Sequence, residues 1–258
     1  MSQKVIILMT AMILIPARGL SAASVWEETM SADPLLSSHW ITHTSFSHNY
    51  TIASDLMTWP VSSDWSGIDT TPDSNFAEPT KITMTLKATD ANGIGFWINF
   101  DRSGDTFAAI NIITGTVTGG QSVTIQRGVS GLSETIDGFS TDFINVTVLL
   151  DPARDMITYS IANVGGGAKT GYAGYLVQTQ TGQPKVGTIV CYPGGSGSID
   201  YFKLEVGYQP QNCFEKYAFS AGPQGDFDND CRVNFYDFSV LASLWMICYD
   251  PLNVNCNY

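Results

Sequence analysis

From residue 81 onward, apolar and polar positions alternate. Ile82, Met84, Leu86 and Ala88 interleave with Thr83, Thr85 and Lys87, the period-two signature of a strand with one buried face. Asp90-Ala91-Asn92-Gly93 marks a turn. The next strand carries Ile94, Phe96, Ile98 and Phe100 on one side, and a turn at Asp101-Arg102-Ser103-Gly104-Asp105 leads into residues 107–113. Further strands are expected at residues 122–127, 143–150, 156–161, 186–192 and 198–206, separated by clusters such as Gly165-Gly166-Gly167 and Gly194-Gly195-Ser196-Gly197. Residues 81–207 contain no helix-period segment of useful length. Many short strands with turn signals between them predict an all-β fold, a two-sheet antiparallel jelly-roll sandwich.

The period changes near the C-terminus. Phe238, Leu241, Ala242 and Trp245 recur at i, i+3, i+4 and i+7, which predicts a helix with an apolar stripe. The twelve residues just before it place side-chain oxygens at positions 1, 3, 5, 9 and 12 through Asp226, Asp228, Asp230, Asn234 and Asp237. Arg232, at position 7, offers its backbone carbonyl. This is the ligand spacing of an EF-hand loop around Ca2+. Cys231 stands at position 6, where glycine is usual, and a left-handed backbone there costs on the order of 1 kcal/mol. An acidic turn capping a short helix is the competing reading; it explains the helix and not the ligand spacing.

The tail resembles one repeat of a type I dockerin, a calcium module that docks secreted polysaccharide-degrading enzymes onto cohesins. Asp237 at the last loop position and the apolar Val233, Phe238, Leu241 and Trp245 carry the resemblance. It implies bound Ca2+ and a cohesin-like or cell-surface partner. Two features depart from the pattern: a dockerin has two loops where this chain has one, and Phe235 and Tyr236 replace the small hydroxyl pair that helps choose the cohesin.

The N-terminus begins with Lys4, an apolar run from Val5 to Ile15, and small residues through Ser21-Ala22-Ala23. These are the three parts of a secretory signal peptide, and the run is too short to span a bilayer. The expected organisation is signal peptide 1–23, jelly-roll domain 24–207 and calcium-loop tail 208–258, in an exported protein without a membrane span. Four of the five cysteines fall in the tail, as suits a small exported unit stapled by disulfides. Four cysteines allow three pairings; Cys213–Cys231 with Cys248–Cys256 closes the most compact loops. Cys191 sits in an apolar strand pattern and is expected as a buried thiol.

Charged residues make up only 14% of the chain and the net charge is −12. That balance lacks the basic footprint of a nucleic-acid binder. The ends of the body sharpen its fold. Trp26 through Trp40 and Gly197 through Val206 resemble the opening and closing strands of concanavalin A-like lectin/glucanase (laminin G-like) jelly rolls. The resemblance implies that the last strand pairs beside the first. It does not imply one function, because that fold hosts lectins, hydrolases, lyases and adhesive modules.

Glucanases on this fold carry a Glu-x-Asp-x-x-Glu strand, since retaining hydrolysis needs two carboxylates about 5 Å apart. No such array occurs here. Glu27 and Glu28 are adjacent and point to opposite faces, Glu134 is read as a loop residue, and Asp101 and Asp105 flank a glycine turn. His39, His43 and His48 are read as loop residues. No catalytic residue is therefore assigned. A carbohydrate site needs only aromatic faces beside hydrogen-bonding groups. Trp97 and Asn99 lie opposite the apolar face of their strand, and Trp59 and Trp65 sit in a Pro- and Ser-rich stretch where they could line a rim. Ordinary packing is the competing reading for each tryptophan. The first functional reading is an exported, non-catalytic carbohydrate-binding or adhesive protein, its partner a polysaccharide or glycan, with a calcium-binding tail, within a polysaccharide-degrading system. A glycoside hydrolase or polysaccharide lyase is the alternative, and a purely structural surface protein the third option.

Overall fold

A computed structural model describes residues 24–71, 76–99, 108–127, 133–151, 156–174, 185–211, 215, 225–226 and 232–248. Its strands are β1 (Ser24–Glu28), β2 (Trp40–Thr42), β3 (Thr51–Ala53), β4 (Leu56–Trp59), β5 (Ser66–Thr70), β6 (Thr80–Ala88), β7 (Ile94–Asn99) and β8 (Ala108–Val117). They continue as β9 (Gly120–Arg127), β10 (Ser133–Phe139), β11 (Ile144–Asp151), β12 (Met156–Asn163), β13 (Ala168–Gly174), β14 (Val186–Cys191) and β15 (Gly197–Val206). Among the described residues a short 3-10 turn spans Pro34–Leu36, and a helix, α1 (Phe235–Cys248), follows the candidate calcium-loop sequence.

The strands pair antiparallel in two sheets. The first runs β13-β12-β11-β6-β15-β4-β3, with β1 also on β15; the second runs β10-β9-β8-β7-β14-β5-β2. Strand alternation dictates how the sheets meet. In the first, Leu204, Ile82, Val148 and Tyr159 fall in one cross-strand row; in the second, Ile68, Ile189, Phe96, Ile112 and Ile125 do the same. Both rows belong to a single buried cluster between the sheets. Each such side chain contributes about 1.5–3 kcal/mol by leaving water. Phe202 joins the layers, packing on Trp40 and Phe96 with centroids 5.3 and 5.0 Å away. The two-sheet sandwich expected from the alternation is present, and β15 does pair beside β1.

Glu134 departs from expectation. It lies in β10, paired with β9, and not in a loop. Its carboxylate accepts the Tyr159 hydroxyl at 2.7 Å and so ties the second sheet to the first. Gln121 is fully buried and acts as a second tie: its carbonyl accepts the Ala88 amide, and its amide donates to the carbonyls of Ser140 and Asp142.

The start of the tail is seated on the outer face of the first sheet. Lys81 of β6 meets the Glu215 carboxylate at 2.7 Å, and the other Glu215 oxygen accepts the Tyr208 hydroxyl and the Gln211 amide. Tyr208 packs on Leu149 of β11. Cys191 is a buried free thiol, as expected from its strand; burial, with Asp90 adding, pushes it up to about 12, too high for thiolate chemistry. Cys213, Cys231 and Cys256, and with them the disulfide pairings expected of the tail, lie outside the described residues, as do residues 1–23, the expected signal peptide.

Helix α1 is present where the periodicity predicts one, but it begins at Phe235, three residues before the apolar period, and its first turn faces differently. Phe238, expected on the buried stripe, is exposed, and Asp237 is buried instead. The reason is a reciprocal cap. Asn234 Oδ1 accepts the Tyr236 amide and Asp237 Oδ2 accepts the Asn234 amide, each at 2.7 Å. This capping box turns Asp237 back over the helix start and swings Phe235 and Phe238 outward.

Candidate functional site

The outer face of the second sheet is built by the residues that alternation excludes from the core. On β7 these are Gly95, Trp97 and Asn99, between the inward Ile94, Phe96 and Ile98. The ladder places Thr188 and Asn111 beside Trp97, and Asp69 beside Thr188. Gly95 faces Val190 and Ile113. The local reason is strict pleating: each of these polar residues interrupts an apolar strand at a position two from its neighbour on the same face.

Three of them form a hydrogen-bonded row. Asn99 Nδ2 donates to Thr188 Oγ1 at 3.0 Å, and that hydroxyl donates to Asp69 Oδ1 at 2.7 Å. Asp69 and Thr188 are fully buried and Asn99 is 2% exposed. Polar groups so deep must be hydrogen-bonded to be tolerated. Among the described residues, Asn99 Oδ1 and Asn111 Oδ1 have no hydrogen-bond partner, and both atoms are closed off from solvent.

Beside the polar row stands a second apolar cluster, separate from the core. It contains Phe46, Trp97 and Val190, with Trp65 and Tyr192 packed against it and partly exposed. Trp65 and Tyr192 meet with centroids 4.6 Å apart, Trp97 stands 5.0 Å from Trp65, and Phe46 stacks under His43 at 3.7 Å. The Tyr192 oxygen accepts two hydrogen bonds, from Trp97 Nε1 at 2.9 Å and Asn111 Nδ2 at 2.7 Å. Burial pushes its phenol up to about 12, and those two donors offset the rise only in part. The hydroxyl is neutral across the physiological range.

Three of the four candidate sugar contacts therefore gather here: Trp65, Trp97 and Asn99. Trp59 does not. It closes β4, is 1% exposed in the inter-sheet core, and spends its indole N–H on Ser66 Oγ at 3.0 Å. Its strand pairs with β15, so the pleat turns the ring inward, away from any rim. Sequence reasoning missed Tyr192, Asn111, Thr188 and Asp69. The available signal was a lone polar residue between two apolar ones, as in Ile110-Asn111-Ile112 and Gly187-Thr188-Ile189. Of the three histidines, His43 is buried and accepts the Ser45 amide on Nδ1, while His39 lies 3.6 Å from Glu28. All three lie outside the strands, and they do not converge on one point.

At the tail, Asp226, Arg232, Asn234 and Asp237 are among the described residues, whereas Asp228 and Asp230 are not. Arg232 and Asn234 are exposed and Asp237 is buried. Among the described residues no three His, Cys, Asp or Glu side chains cluster as a metal site. The cap geometry still suits the expected ligands, since the helix starts at loop position 10 and the Asp237 carboxylate is turned back toward the loop.

No family model matches the chain, and no curated protein matches it. Solved structures share its fold. A peanut lectin in complex with a 9mer peptide is similar with a TM-score of 0.55 at 11% identity, over 72% of this chain and 97% of the lectin. Basic winged bean lectin with Tn-antigen has a TM-score of 0.55 at 10% identity, over 71% of this chain and 98% of that one. The CBM2 module of the evolved Dit of Lactobacillus casei BL23 phage J-1 has a TM-score of 0.50 at 10% identity, over 73% and 98%. At such identities the likeness establishes the jelly-roll fold alone.

Proposed function

We propose that this is a non-catalytic carbohydrate-binding protein that reads its ligand on the outer face of the second sheet. One observation carries the reading: two partly exposed aromatic rings, Trp65 and Tyr192, stand over the outward-facing Trp97 and Asn111, and the Tyr192 hydroxyl is held by both of those side chains. Apolar ring faces stack on a pyranose while amides and hydroxyls meet its oxygens. The lectins and CBM2 module that share the fold support the ligand class. Asp69, the carboxylate of the polar row, is fully buried and accepts the Thr188 hydroxyl.

The remaining parts of the proposal come from the chain's two ends. The N-terminal 23 residues act as an export signal, so the protein works outside the cell. The tail is a dockerin-like module in which Asp226, Asp228, Asp230, Asn234, Asp237 and the Arg232 carbonyl hold Ca2+ and stabilise the loop. It ties the binding body to a polysaccharide-degrading system.

Two measurements test this. On a glycan array the mature protein is expected to retain specific glycans without releasing product, and Trp65→Ala should weaken retention at least about tenfold. Released oligosaccharides would make it an enzyme, and a blank array would remove the carbohydrate reading. Calorimetric titration with CaCl2 should show one saturable site that Asp237→Ala abolishes. Heat changes no larger than buffer dilution at millimolar calcium would remove the metal.

A further inference from the structure

Trp65 and Tyr192 stand at 51° to one another. Trp97 lies across both, at 61° to Trp65 and 80° to Tyr192. Phe46 is nearly parallel to Trp65, at 16°, but it is buried and extends no surface. Rings inclined in this way make a corner. The flat face of a crystalline polysaccharide is matched by coplanar exposed rings, whereas a corner closes around one pyranose.

The polar side of the corner is unbalanced. The Tyr192 oxygen already accepts from Trp97 and Asn111, which uses its acceptor capacity and leaves its own proton to donate. With the Asn111 amide turned the other way, the phenol donates to the amide and an amide N–H is left over instead. Either way one donor at the corner is uncommitted. Beneath it, Asn111 and Asn99 are both more than nine-tenths buried, and among the described residues Asn99 Oδ1 has no partner and is closed off from solvent.

We infer that the corner takes one residue of a soluble, uncharged glycan chain. The sugar ring lies against Trp65 and one of its oxygens receives the Tyr192 hydroxyl proton; the face does not take the surface of a crystalline polysaccharide. The inference rests on the carbohydrate-binding reading above. The uncommitted groups are phenol and carboxamide, all neutral, so nothing at the corner rewards a charged sugar.

The full chain should be titrated calorimetrically with neutral gluco-, xylo-, manno- and galacto-oligosaccharides and with oligogalacturonate. In parallel it is mixed with microcrystalline cellulose and chitin, and depletion from the supernatant is measured. The expected result is binding of at least one neutral oligosaccharide and no depletion by either solid. Tyr192→Phe keeps the ring and should weaken that binding about tenfold. Should that variant melt well below the parent, Trp65→Ala, which removes a partly exposed ring, serves as the second probe and must lose at least as much affinity. Depletion by a crystalline solid that soluble sugars do not compete away, tighter binding of oligogalacturonate, or full affinity in a folded Tyr192→Phe would overturn the inference. If neither solids nor soluble sugars bind, the carbohydrate-binding reading itself falls.

Discussion

Gly95→Ala is expected to be among the most damaging single-methyl changes in the body. A Cβ built at Gly95 meets the Ile112 carbonyl oxygen at 1.9 Å, with the Ile112 carbonyl carbon and Ile113 Cα both at 2.9 Å. These are backbone atoms of the neighbouring strand β8 and cannot rotate away as a side-chain tip would. Relief requires parting β7 from β8, the pair that sets Trp97 beside Asn111. The cost should be about 3–4 kcal/mol, toward the upper end for overpacking. For a domain of this size that is a fall of roughly 10 °C in Tm. Gly167→Ala is the control, since its Cβ meets nothing within 4 Å, and it should be neutral within about 0.5 kcal/mol. Thermal unfolding followed by circular dichroism decides the matter. Equal melting temperatures for the two variants would contradict the close approach of β7 and β8. The same variant should lose glycan retention, because the corner is assembled across that strand pair.

The second large effect is at the seat of the tail. Glu215→Gln leaves Lys81 facing a neutral amide in a largely buried spot, with Tyr208 and the Gln211 amide deprived of their charged acceptor. Breaking one side of a buried pair costs about 3–5 kcal/mol, and the residual exposure of Lys81 reduces this to about 2 kcal/mol. The effect depends on pH. Burial raises the Glu215 carboxyl, but hydrogen bonds from Lys81, Tyr208 and the Gln211 amide outweigh it, and the net shift is below the ordinary value of 4.5. Burial likewise lowers Lys81, and its bonds to Glu215 and Tyr208 outweigh that, leaving it above 10.5. A lowered acid stabilises the fold fully above its unfolded value and loses that contribution as pH falls through its folded one. A raised base does so below its unfolded value and loses it as pH climbs. The contribution is therefore present between about pH 5 and 10. Tm curves of the parent and Glu215→Gln should lie furthest apart across that window and converge at lower pH. Parallel curves down to pH 2 would mean that the pair contributes nothing to folding.

How much of this was legible beforehand differs from element to element. The sandwich was readable because pleating imposes a period of two. Ile82-Met84-Leu86 and Ile94-Phe96-Ile98 write their own inner face, and so Trp97 and Asn99 had to lie on the other side. β10 was not readable, because Ser133-Glu134-Thr135-Ile136 is an edge segment with one buried apolar residue in the run, and its carboxylate is accounted for only by Tyr159 of the opposite sheet. Trp59 was misplaced for a related reason: its Pro- and Ser-rich neighbourhood reads as loop, and only the pairing of β4 with β15 turns it inward. Helix α1 was readable from its period, but the burial of Asp237 in place of Phe238 depends on a cap two and three residues long.

Local sequence determined strands β6–β9, β11, β12, β14 and β15, the inner or outer side of their residues, and the presence of the terminal helix, since all of these follow from backbone geometry repeated every two or four residues. Which outer residues meet was decided by tertiary structure alone. Trp65, Trp97, Asn111 and Tyr192 are separated by up to 127 positions along the chain, and strand order, which no local period encodes, brings them to one corner.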